Sequence, residues 1–114
     1  MTAPLFKGRA IVLGGLSLVM PALSFGGIET TKELMRQIDA GEIKDVVELQ
    51  HAFITVLHAA LLRNHPDLPR AVLVAELDWE SAIALYRQLL EASFPQAQVG
   101  ETKAGSPSGA STGS

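Results

Sequence analysis

The chain has 114 residues, a formal net charge of −3 and no cysteine. That length fits one domain, and a charge without long runs of either sign leaves no electrostatic footprint for nucleic acid or an anionic membrane. The lack of cysteine excludes thiolate catalysis, zinc–cysteine sites and iron–sulfur clusters, and it favours a reducing compartment over a small secreted fold stapled by disulfides.

Met1 to Phe6 reads as a loose lead-in. The run that follows, Lys7 to Phe25, admits two readings. As two strands around Gly14-Gly15 it is a β-hairpin over about residues 8–20, because a two-residue turn of type I′ or II′ needs positive φ where a Cβ would clash. Leu13 then pairs with Leu16, Ile11 with Leu18 and Arg9 with Met20. Side chains alternate along a strand, so Ile11, Leu13, Leu16, Leu18 and Met20 share the face that helices cover. Pro21, with no N–H, stops the ladder. The other reading is a secretory signal peptide over residues 1–24, with Lys7 and Arg9 as its charged region and Ala22-Leu23-Ser24 as a cleavage site. The central glycines weaken a signal helix, and the run is too short and interrupted to span a bilayer.

Ser24 to Gly27 reads as a flexible joint, with Ser24 a candidate cap. Thr30-Thr31-Lys32-Glu33 fits a capping box that starts the first helix at Thr30. Leu34, Met35 and Ile38 form its apolar stripe, and Gly41 is its stop. The second helix runs from about Lys44 to Arg63. Val46, Leu49, Phe53, Val56, Leu57, Ala60 and Leu61 recur every three or four residues and mark one buried face. Pro66 disfavours helical geometry at His65. A short third helix covers Ala71 to Leu77. Asp78 to Ser81 reads as a turn and cap, and a last helix ends near Ser93 before Pro95. Its apolar side is Trp79, Ile83, Tyr86, Leu89 and Leu90. Gln96 to Ser114, poor in large apolar residues, reads as a disordered tail. The expected architecture is α+β and mostly helical: one domain over residues 1–95, with an N-terminal hairpin and a bundle of three to four helices, then a tail over 96–114.

His51, His58 and His65 are seven apart. Two helical turns separate neighbours by about 10.5 Å, too far to share one metal ion. They read as partly exposed polar residues beside the apolar stripe. Glu76, Asp78 and Glu80 read as helix-cap and first-turn charges rather than an acid–base pair. Trp79 and Tyr86 read as core, with partner anchoring as the alternative. No phosphate loop, dinucleotide fingerprint or nucleophile elbow is present. No catalytic, cofactor-binding or metal-ligating set is therefore expected, and the chain does not read as an enzyme.

The segments "IVLGGLSLVMPALSF", "LLRNHPDLPR" and "LDWESAIALYRQLLEASF" stand in an order that resembles the small tail assembly chaperones of long-tailed bacteriophages and prophages. Members commonly begin with a Leu-Gly-Gly hairpin and a Pro-x-Leu-Ser-Phe joint, and close on Leu-Glu-Ala-Ser. The resemblance spans Arg9 to Phe94. It implies a non-enzymatic protein of the bacterial host cytoplasm that binds the tape-measure protein, keeps it soluble and helps recruit tail-tube subunits. Such chaperones often occur in a short and a frameshift-extended form. Exposed apolar stripes on so small a domain also lead us to expect self-association. The competing readings are a small secreted or envelope-associated helical protein and a minor virion structural protein of the neck or tail.

Overall fold

The computed structural model describes residues 6–95; the expected tail and most of the lead-in lie outside them. The order of elements is β1 (Gly8–Leu13), β2 (Leu16–Pro21), α1 (Phe25–Ala40), α2 (Val46–Leu61), α3 (Arg70–Glu76) and α4 (Trp79–Ser93). This is the expected α+β, mostly helical architecture.

The hairpin forms in the register that the glycine turn predicts: Leu13 opposite Leu16, Ile11 opposite Leu18, Arg9 opposite Met20. Gly14 and Gly15 both have positive φ, 55° and 83°, the pattern of a type I′ turn. Leu13, Leu18 and Met20 are buried, so the segment with the alternative reading as a signal peptide supplies part of the core. Leu16, at the turn, is 44% exposed and extends past the helices.

The first helix starts earlier than the expected capping box at Thr30. Ser24 is the cap, its hydroxyl accepting the Gly27 N–H at 3.0 Å. Thr30 and Thr31 lie inside the helix and donate their hydroxyls to the Gly27 carbonyl. Glu33 turns outward to Arg36 instead of back to the cap. Arg36 also reaches Glu42, and this exposed pairing holds both carboxyls below the usual carboxylate range. Gly41 ends the helix at φ 68°, as expected.

Helix α2 is the axis of the molecule. Asp45 caps it through the Glu48 N–H, and Val56, Leu57, Ala60 and Leu61 are sealed from solvent. It packs against α1, α3, α4 and β2. Pro69 precedes α3 without a side-chain cap bond. Asp78 caps α4 by accepting the Ser81 N–H at 2.8 Å. The α4 stripe is only half as expected: Tyr86 and Leu89 are buried, but Trp79 and Ile83 remain 37% and 38% exposed. Ala82, which lies between them in the sequence, is buried instead.

The turn after α2 closes one edge of the hairpin. In a two-residue hairpin, alternate residues turn their N–H and C=O away from the partner strand. Val19 is such a residue. Its N–H donates to His65 Nε2 at 2.9 Å, and its carbonyl accepts from Asn64 Nδ2 at 3.2 Å. Arg63 donates to the Ala22 carbonyl. Asn64 also exchanges two hydrogen bonds with the backbone of Phe6, whose ring lies under the Arg63 guanidinium at 3.9 Å. Three consecutive side chains thus do the work of a third strand.

Candidate functional site

The functional candidate is an apolar groove where three helices diverge. α2 contributes Phe53 and Ile54, α3 contributes Leu73, Val74 and Leu77, and α4 contributes Trp79 and Ala82 around a cavity of about 300 Å³. The floor is rigid. Phe53 is buried and takes Tyr86 and Trp79 edge-on, with ring centroids 5.0 and 6.0 Å away. The rim is open: Val74 is 56% exposed, and the exposed Val46, Val47 and Ile83 belong to the same two helix starts as the groove walls. The short α3 keeps the groove from closing, because seven residues cannot cover the N-terminal half of α2.

Charge at the rim is one-sided. Glu76, Asp78 and Glu80 cluster at the α3–α4 junction, all exposed. The Ser81 N–H holds the Asp78 carboxyl below its ordinary range, so it stays ionised at neutral pH. Asp78 and Glu80 are the cap and first-turn charges of α4, as expected for a helix start, whereas Glu76 is the last residue of α3. Trp79, read from the sequence as core, instead lines the groove at 37% exposure, its ring nearly perpendicular to Phe53.

The histidines are drawn apart. His51 is exposed beside the groove. His58 donates from Nε2 to the Leu68 carbonyl at 2.8 Å, fixing the turn before α3. His65 accepts from Val19. Two of the three are therefore structural hydrogen-bond partners rather than simple surface residues. Among the described residues, no three His, Asp or Glu side chains converge as metal ligands.

A second, wetter cleft of about 640 Å³ lies between the hairpin and α4, lined by Lys7, Arg9, Gln88 and Glu91 among others. Gln88 Oε1 is buried there without a hydrogen-bond partner among the described residues. Among the described residues, no helix is long and apolar enough to cross a membrane.

No family model, no curated protein and no solved structure matches this chain.

Proposed function

We propose that this chain is a tail assembly chaperone of a long-tailed phage or prophage that holds an amphipathic helix of the tape-measure protein in the α2–α3–α4 groove. The observation that carries the reading is the groove itself: an aromatic floor with an apolar rim, edged by carboxylates. Such a surface suits a helix with an apolar stripe flanked by lysine or arginine. The order of segments that resembles this family supports the same reading. In this role the protein binds and performs no chemistry, acts in the host cytoplasm, and brings tail-tube subunits to the held partner.

The chain has a single tryptophan, Trp79, and it lines the groove. Its fluorescence reports occupancy directly. Co-expression with a tape-measure protein should raise that partner's soluble fraction and give a complex on gel filtration. Binding should blue-shift Trp79 emission, and Val74→Glu should weaken it without altering the fold. A partner equally soluble alone, with no complex and no change in Trp79 emission, rejects the assignment.

A further inference from the structure

The two edges of the hairpin are treated differently. The outer edge of β2 is covered at Val19 by Asn64 and His65. Among the described residues, nothing covers the outer edge of β1. By the alternation that turns Val19 outward, Gly8, Ala10 and Val12 direct their N–H and C=O away from β2. Among the described residues, no hydrogen bond from a loop, cap or side chain reaches Ala10 or Val12. Val12 is 68% exposed. The lead-in does not shield this edge at Phe6, which is pinned to Asn64 on the opposite side. An open, apolar strand edge is a template for strand addition.

We propose that β1 pairs antiparallel with β1 of a second copy, about a two-fold axis at Ala10, giving a four-stranded sheet across the dimer. The backbone itself selects this register. Centring on Arg9 would leave Val12 opposite Phe6 of the other copy, and centring on Ile11 would leave Gly8 opposite Gly14 at its turn. Centring on Val12 would run Ala10 past the turn at Gly14, and centring on Gly8 would leave Val12 beyond the strand of the other copy. Only the Ala10 centre engages every outward group: Ala10 pairs with Ala10, and Val12 with Gly8 at each end.

Side chains agree with that register. Arg9 falls opposite Ile11 of the second copy, so the two arginines do not face each other. Lys7 falls opposite Leu13 of the second copy, one residue from Gly14. The Glu76 carboxyl lies directly against Gly14, where an added Cβ would meet Glu76 Oε2 at 2.6 Å. Each Lys7 is thus brought beside a Glu76 carboxylate that has no ion-pair partner among the described residues. The contact is isologous, as a closed two-fold dimer requires. Glu76 at the rim aside, it uses none of the residues that line the groove, so its failure leaves the chaperone reading intact.

The absence of cysteine makes the test clean, because an introduced thiol has no competitor. In an antiparallel pair, Cα atoms of directly opposed residues are about 5.5 Å apart, within disulfide reach. Two Val12 residues would be about 14 Å apart, four residues along the strand, and out of reach. Mild oxidation of the full-length protein should therefore crosslink Ala10→Cys to a dimer and leave Val12→Cys monomeric. Ala10→Pro removes an outward N–H that has no hydrogen-bond partner among the described residues. It should raise the dimer Kd about tenfold or more by sedimentation while circular dichroism is unchanged. Lys7→Glu should weaken the dimer, and adding Glu76→Lys should restore it. A wild-type monomer at near-millimolar concentration, or equal crosslinking through residues 10 and 12, overturns the proposal. If Ala10→Pro fails to fold, the contrast between the two cysteine variants decides.

Discussion

Replacing His65 by alanine isolates one hydrogen bond whose loss can be followed at a single atom. The imidazole accepts the Val19 N–H at 2.9 Å in a half-buried setting. Because Val19 faces outward from the hairpin, no backbone carbonyl stands ready to replace the ring. An orphaned buried donor costs about 1–3 kcal/mol, and partial access of water places His65→Ala near ~1–2 kcal/mol. For a domain of this size that is a fall in Tm of roughly 4–16 °C by calorimetry. Exchange of the Val19 amide with deuterium, followed by NMR, should accelerate well beyond the change in global stability, while amides in α2 change only with it. His65→Gln, which keeps an acceptor, should recover part of both effects. Asn64→Ala removes three further bonds at the same edge. It should couple to His65→Ala by more than ~0.5 kcal/mol in a double-mutant cycle. A Tm within about a degree of wild type, together with unaltered Val19 exchange, would refute the latch.

Leu57→Ala opens a cavity at a fully sealed position of α2 and should cost about 2–5 kcal/mol in urea unfolding. Asp78 has a depressed carboxyl pKa through the Ser81 N–H, so its stabilisation is present above the unfolded value near ~3.9 and is lost as pH falls through the lower folded value. Acid unfolding of Asp78→Asn should lack that component, and Asp78→Ala should be less stable than either at neutral pH. Burial and the neighbouring Asp39 push the Tyr86 hydroxyl upward. Stability should therefore decline as pH rises above the unfolded tyrosine value near ~10, and Tyr86→Phe should flatten that alkaline limb.

The hairpin was legible because its determinants are local. Two adjacent glycines fix the turn type, the turn fixes the register, and the register fixes the faces. Gly41 and Asp78 were legible for the same reason. The start of α1 was legible only as one of two options, the Ser24 cap and the later capping box at Thr30. Gly26 and Gly27 are poor helix formers, which favours a later start at Thr30. The Ser24 cap and the partly buried Ile28 instead hold the first turn helical. The roles of His58 and His65 were invisible because their partners lie 10 and 46 residues away. The groove was half legible: its residues stood out as apolar stripes, but Trp79 lines an open groove and Ile83 stays exposed rather than joining the core. Periodicity marks an apolar face and does not say whether another element meets it.

The latch on β2 also has a consequence during synthesis. The hairpin is contiguous and zips within microseconds once both strands are free. Its edge cover comes from residues 63–65, and Val19 and His65 are 46 positions apart. At translation rates of about 5–20 residues per second, His65 follows Val19 from the ribosome after ~2–9 s. For that interval the nascent hairpin carries two open edges instead of one. Neighbouring chains on the same message emerge within reach of one another, so this is the period in which strands from different chains can mispair. A slowly translated stretch between α1 and α2 would lengthen that exposure, and a fast one would shorten it.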